Sequence, residues 1–291
     1  MKTSRFFRPN SQNRPNGTAA REDALVVDPA EWFDGRGRVL FVHAHPDDET
    51  ITTGGVLAAL AAAGREPGLV TLTRGERGEA APGPYGELQG TDGLARHREG
   101  ELAAALAALG VDRHAFLGAP PARAAGLEPR VYRDSGMEWA ADGLAAPAPD
   151  AGPEALTSAD AVDPLTDLIA VADAWDAEAI VSYDALGGYR HPDHVLAHRL
   201  ARAVAHGLEL PFWEIVGPRE PGAGEEGDAG GDRPEPGSHE PQPYDVSPWL
   251  DRKVAALRAH ATQLTVDGDE IVHVGGQRQP VDRVEAFRRL R

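Results

Sequence analysis

The sequence predicts an α/β fold: a mostly parallel sheet with helices on both faces and a small C-terminal extension. Three observations carry this expectation. The runs Val39-Leu40-Phe41-Val42 and Ala179-Ile180-Val181-Ser182-Tyr183 are continuously apolar or nearly so, as strands covered on both faces are. Each precedes a stretch of helical character, so strand and helix alternate. Gly64 and Gly110 stand where two of those helices should stop.

Taken in order, a strand over 38–43 leads through a polar turn into a helix near 53–64. A strand over 68–73 follows, then the loop Arg74-Gly75-Glu76-Arg77-Gly78-Glu79, a helix near 91–109 and a short strand near 114–117. Residues 118–160, rich in Pro, Gly and Ala, read as a long irregular excursion of the kind that serves function or stays unstructured. A helix near 161–174, a strand over 178–183, a helix near 193–206 and a strand over 211–216 complete the alternation, a Rossmann-like order. Lys253–His260 has the pattern of an amphipathic helix.

Two segments stand apart. Residues 1–36 are polar and mixed and read as a flexible leader. Residues 217–243 hold repeated Glu-Pro and Gly-rich elements with almost no large apolar side chain, and read as a disordered acidic insertion. The rest, 37–291, is expected to form a single domain.

The formal charge of −17 over 291 residues argues against a nucleic-acid or anionic-membrane partner. With no cysteine, a disulfide framework, a thiolate nucleophile and a cysteine-ligated zinc are excluded, so any metal binds through nitrogen and oxygen. No apolar stretch has the length of a membrane span, and the N-terminus lacks the apolar region of a signal peptide. A soluble cytoplasmic protein is the expectation.

The chemistry is concentrated in two motifs, each placed where a buried strand ends and a helix begins. The first is His43-Ala44-His45-Pro46-Asp47-Asp48-Glu49 and the second Gly187-Gly188-Tyr189-Arg190-His191-Pro192-Asp193-His194. Active sites of open α/β sheets lie at the carboxyl edge of the strands, so the two motifs can converge on one divalent metal. His45 and Asp48 are three residues apart around a proline, as are His191 and His194. Two imidazoles and one carboxylate leave a position open for water, as catalytic sites require. Either motif alone also fits a satisfied polar residue or a helix cap; two together favour a metal site. His43 reads as a packing residue.

The two motifs resemble the PIG-L/LmbE-like metal-dependent N-deacetylases of N-acetylglucosamine conjugates. Further stretches are similar to the mycothiol-biosynthesis branch, which deacetylates N-acetylglucosaminyl-inositol: Thr73–Glu79, Arg98-Glu99-Gly100-Glu101-Leu102, Arg133-Asp134-Ser135-Gly136-Met137 and Lys253–Gln263. The similarity runs over 38–275 apart from the insertion. It implies one divalent metal per chain, Zn²⁺ before Fe²⁺, on His45, Asp48 and His194. It implies Asp47 as general base and acid, and His191 as the group that stabilises the oxyanion, oriented by Asp193, with Tyr189 a second candidate. Arg98, Asp134 and Glu79 are expected to bind a small glycoconjugate substrate. Self-association is left open.

Three alternatives stand beside this reading, one of them a relative acting on another glycoconjugate N-acetyl group. A mycothiol S-conjugate amidase shares the motifs, but that branch carries a lysine after the first motif where this chain has Thr50-Ile51-Thr52-Thr53-Gly54. A non-catalytic metal-binding protein needs neither Asp47 nor His191. A nucleotide-binding protein lacks support, because the loop 74–79 has neither the dinucleotide glycine spacing nor a phosphate-loop lysine.

Overall fold

A computed structural model describes residues 28–139, 145–217 and 239–290. The chain runs α1 (Trp32–Gly35), β1 (Val39–His43), α2 (Asp48–Ala62), β2 (Gly68–Thr71), α3 (Asp92–Leu109) and β3 (Arg113–Phe116). It continues with β4 (Glu138–Trp139), β5 (Ala145–Ala146), α4 (Val162–Ala174), β6 (Ala179–Ser182), α5 (Gly187–Arg190), α6 (Pro192–Gly207) and β7 (Phe212–Val216). After these come β8 (Gln242–Asp245), α7 (Leu250–Ala259), β9 (Leu264–Asp267), β10 (Glu270–His273), β11 (Arg278–Pro280) and β12 (Val284–Arg289).

The main sheet has seven strands in the order β3-β2-β1-β6-β7-β12-β8. The first five are parallel, with Phe41 opposite Leu69 on one side and Val181 on the other. From β1 the chain steps outward through β2 to β3, then crosses back to β6 and β7. The direction of winding therefore reverses between β1 and β6, and a crevice opens there beyond the strand ends. Both histidine motifs leave the sheet at that crevice.

Period-two alternation splits the core between the two faces. Val39 and Phe41 join Leu57, Leu102, Val181 and Trp213 on one face. Leu40 and Val42 join Val70, Leu168, Ile180 and Leu200 on the other. Every residue of β1, β2 and β6 is buried, which explains why these strands read as apolar runs.

The structure departs from the sequence reading in four places. The packed body starts before residue 37: Trp32 and Phe33, assigned to the leader, are fully buried. Trp32 stacks on Tyr244 at 4.7 Å, and Phe33 meets Phe41, Trp213, Tyr244 and Phe287 edge-on at 5.1–5.9 Å. Polar neighbours masked this two-residue anchor. Replacing Phe33 with alanine should cost about 3–5 kcal/mol, read from the denaturant midpoint; a loss below about 1 kcal/mol would show that α1 is not part of the cooperative core.

The second departure is the far edge of the sheet, where β12 pairs antiparallel with β7 and β8 pairs antiparallel with β12. The C-terminal extension thus contributes to the main sheet as well as forming the β9–β10–β11 meander. The third is α2, which begins at Asp48 rather than near residue 53, so the first motif runs directly into helix. The fourth is β8, which begins at Gln242, inside the range assigned to the insertion. Residues 1–27 of the leader and 218–238 of the insertion lie outside the described residues. Among the described residues no helix is long and apolar enough to cross a membrane.

Candidate metal centre

β1 ends at His43, and the peptide that follows is held across the crevice: Ala44 N donates to the Tyr183 hydroxyl at 2.8 Å. His45 N donates to Asp48 Oδ2 at 2.9 Å, folding the motif back onto the first turn of α2. Opposite it, Gly187 stands at φ +66°, and a Cβ there would lie 2.7 Å from His194 Cβ and from Val195 N. Only glycine lets the second loop approach α6 so closely. The Gly187 carbonyl then lies 3.3 Å from His194 Nδ1, which turns Nε2 into the crevice.

Three donor atoms converge. His45 Nδ1 is 3.2 Å from His194 Nε2, and each is 3.3 Å from Asp48 Oδ2. Ligands about 2.0–2.1 Å from a tetrahedral ion are about 3.3–3.4 Å apart, so this triangle is one face of such a site. All three residues are nearly buried. The donor set, two imidazoles and one carboxylate, suits Zn²⁺ or Fe²⁺. The residues present therefore fit a divalent ion.

Two further groups of potential ligands, His45 with His191 and His194, and His45 with Asp134, His191 and Asp193, each have donor atoms within 4.8 Å of one another. The triangle brings Asp48, His45 and His194 to 3.2–3.3 Å of one another, while both oxygens of Asp134 and Oδ2 of Asp193 are held by backbone N–H groups. Asp193 Oδ2 accepts from Ser135 N at 2.9 Å, and Asp134 accepts from Gly136 N at 2.7 Å and Arg77 N at 3.2 Å. Both also face His45 Nε2, at 3.3 Å and 3.6 Å. They hold the Nε2 proton and so direct Nδ1 at the triangle, the usual arrangement behind a metal-bound histidine.

This corrects one expectation. The carboxylate of Asp193 serves His45, not His191; what it offers His191 is its backbone N–H, which donates to Nδ1 at 3.2 Å. His191 thereby caps α6. With Nδ1 accepting, a neutral His191 carries its proton on Nε2. Burial, with the charge of His45 and His194 added, drives its pKa down to about 3, so the ring is a neutral N–H donor.

The charges are strongly coupled. Burial opposes ionisation of Asp48, but His194 and His45 outweigh it and hold the carboxyl well below the usual range. Burial likewise works against a charged His45, and Asp134, Asp193 and Asp48 overcome it and raise the ring. Asp47 goes the other way: burial first, then the adjacent Asp48 charge, push it up to about 7. Its backbone is also unusual, at φ 111° and ψ −35°. His43, as expected, packs: burial lowers it to about 4, and its Nε2 is 3.0 Å from Thr53 Oγ1.

The residues expected to meet a substrate divide. Asp134 is at the centre, beside His45, and also lines an adjoining pocket of about 230 Å³ with Glu76, Arg77 and Arg133. Arg98 is buried and donates to the carbonyls of Gly75 and Glu79. Glu79 is exposed, and its carbonyl rather than its carboxylate is the group engaged. Tyr189, 57% exposed, lies at the mouth with its ring edge-on to His194 at 5.0 Å.

Sequence reasoning missed Tyr183 and the pairing of Glu49 with His260. The Tyr183 hydroxyl donates to Asp48 Oδ2 at 2.7 Å and its ring stacks on His194 at 4.2 Å. It read as the last strand residue, and no spacing signal marks it. Glu49 Oε1 and His260 Nε2 are 3.0 Å apart and fully buried. Only the presence of both residues in the family-like stretches hinted at them.

The family model PIG-L, described as GlcNAc-PI de-N-acetylase, matches residues 40–205. A 1D-myo-inositol 2-acetamido-2-deoxy-alpha-D-glucopyranoside deacetylase of Kineococcus radiotolerans is 38% identical, over 90% of this chain and 81% of the relative. The protein of the same name from Saccharomonospora viridis is 38% identical over 86% and 93%. Among solved structures, a deacetylase of the teicoplanin biosynthesis pathway superposes with a TM-score of 0.53 at 22% identity, covering 77% of this chain and 84% of that one. That likeness is one of fold.

Proposed function

Since this chain belongs to the PIG-L family of de-N-acetylases, we propose that it hydrolyses the N-acetyl group of 1D-myo-inositol 2-acetamido-2-deoxy-alpha-D-glucopyranoside. Water adds to the acetyl carbon, the C–N bond breaks, and acetate and the free amine leave. The substrate is carried over from the relatives' names; the chemistry rests on one observation. Three donors form a 3.2–3.3 Å triangle with one more carboxylate, Asp47, next in sequence and outside it.

His45, Asp48 and His194 would hold one divalent ion, Zn²⁺ or Fe²⁺. When bound, such an ion polarises the acetyl carbonyl and makes water more acidic. Asp47 takes the proton of the attacking water and returns one to the departing amine, a task suited to a carboxyl raised toward neutrality. His191, a neutral Nε2–H donor, stabilises the developing oxyanion. Asp193 and Asp134 keep His45 in register. Tyr189 stands at the mouth, where it can close over the substrate.

The test is amine release from N-acetylglucosaminyl-inositol by zinc- or iron-loaded protein, beside a mycothiol S-conjugate and an Asp47→Asn control. Cleavage of the first substrate alone, abolished in the variant, is the expected result. Preferential cleavage of the conjugate would move the protein to the amidase reading. No cleavage of either by protein holding one ion per chain would end the substrate assignment.

A further inference from the structure

Asp47 occupies a backbone conformation that L-residues rarely adopt and that persists only where its surroundings over-determine it. Its carbonyl accepts from Thr50 N and Ile51 N at 3.0 and 2.9 Å, as any residue preceding a helix does. The distinctive bond is on the other side of the residue. Asp47 N donates to Glu49 Oε2 at 3.0 Å.

Glu49 is itself fixed from a distant part of the chain. Its second oxygen, Oε1, accepts from the Thr50 hydroxyl and faces His260 Nε2 at 3.0 Å, with both side chains fully buried. Gln263 Nε2 lies 3.4 Å from His260 Nδ1, which leaves Nε2 as the N–H directed at Glu49. The turn 260–263 is anchored in its own right. Thr262 donates to Glu101 of α3 from its backbone N (2.7 Å) and its hydroxyl (2.6 Å), and its carbonyl accepts from Ala81 N at 2.8 Å. α3 also carries Arg98, and Ala81 follows the loop 74–79. One turn after α7 thus ties together the first motif, the Arg98 helix and the glycine-rich loop.

We propose that Glu49 and His260 are positioning residues for Asp47: Glu49 holds the strained peptide by its N–H, and His260 holds Glu49. The proposal rests on Asp47 being the base. The hydrogen bonds of both side chains go to Asp47, Thr50, Gln263 and each other, not to the triangle's donor atoms, so their loss acts on the rate and not on metal retention. A buried ion pair with a purely structural role would lower stability without singling out steps that need Asp47.

The experiment is a double-mutant cycle on the zinc-loaded, full-length protein. Glu49→Gln is nearly isosteric but presents one acceptor where the N–H groups of Asp47 and His260 both need one. It should lower kcat roughly 10- to 100-fold, the scale of a small misplacement of a reacting group, with KM and zinc content unchanged. His260→Ala should act in the same direction, and His260→Gln, whose amide N–H reaches Glu49, should recover most of the rate. In an Asp47→Asn background Glu49→Gln should change kcat no further. Additive losses in that background, or a loss carried by KM or zinc content, would overturn the proposal. Full kcat in Asp47→Asn alone overturns the base assignment, and this proposal with it. Should His260→Ala not fold, Glu49→Gln alone completes the cycle.

Discussion

Asp47→Asn is expected to lower kcat by about 10²–10⁴-fold, the usual contribution of a positioned general base, while one metal ion per chain is retained. Asparagine is the informative replacement. At φ 111° an alanine would add backbone strain to the loss of the carboxylate, whereas Asn and Asp are the side chains that best tolerate positive φ. The amide is close in shape, keeps the Asp47 N–H on Glu49, and cannot accept the water proton. The pH profile separates loss of the base from loss of geometry. Without metal, burial and Asp48 raise Asp47 to about 7, so it is protonated below that pH and idle as a base. The kcat/KM of the native enzyme should therefore fall on the acid side. A dication on the neighbouring donors shifts that limb below 7, because positive charge favours the carboxylate. In Asp47→Asn the limb belonging to this residue should vanish. Retention of both rate and acid limb would remove Asp47 from the mechanism.

Much of this architecture is legible in the chain because burial writes itself into composition. Strands β1, β2 and β6 are covered on both faces and leave continuous apolar runs. The histidine motifs at their ends announced the crevice. What failed to show was set by tertiary contacts with no local period. Trp32 and Phe33 are two aromatic residues in a polar stretch, and only the pocket formed by Tyr244, Trp213 and Phe287 makes them core. β12 reads Val-Glu-Ala-Phe-Arg-Arg, and its buried Glu285 accepts from Gly55 N and Val56 N and pairs with Lys253, an arrangement no propensity anticipates. At the site, sequence proximity suggested that Asp193 orients His191. The helix turns that carboxylate toward His45 instead, because only the backbone N–H of a first-turn residue faces the cap. Residue types and chain order pointed to the metal ligands; the groups that orient them, Asp193 behind His45 and Tyr183 on Asp48, lie 148 and 135 positions away.

His194→Ala should abolish metal retention through dialysis and lower kcat by about 10³-fold or more, since the ion supplies several kcal/mol of charge stabilisation. With His194 removed, the triangle keeps only His45 Nδ1 and Asp48 Oδ2, 3.3 Å apart, and Tyr183 loses the ring it stacks on. Native protein should also bind metal less tightly as pH falls. In the metal-free state Asp134, Asp193 and Asp48 outweigh burial and raise His45, which favours the protonated ring. Ligation through Nδ1 needs that proton gone, and binding must release it. Lower pH makes the release costlier; higher pH relieves it until the raised pKa is passed. Calorimetric zinc titrations in two buffers of different ionisation enthalpy should show a proton released on binding, as a raised His45 requires. A heat independent of buffer would mean that His45 is neutral before the ion arrives, and that the carboxylates behind it orient the ring without charging it. Activity and metal content lost together in His194→Ala, against activity lost alone in Asp47→Asn, would separate the residues that hold the ion from the one that moves the proton.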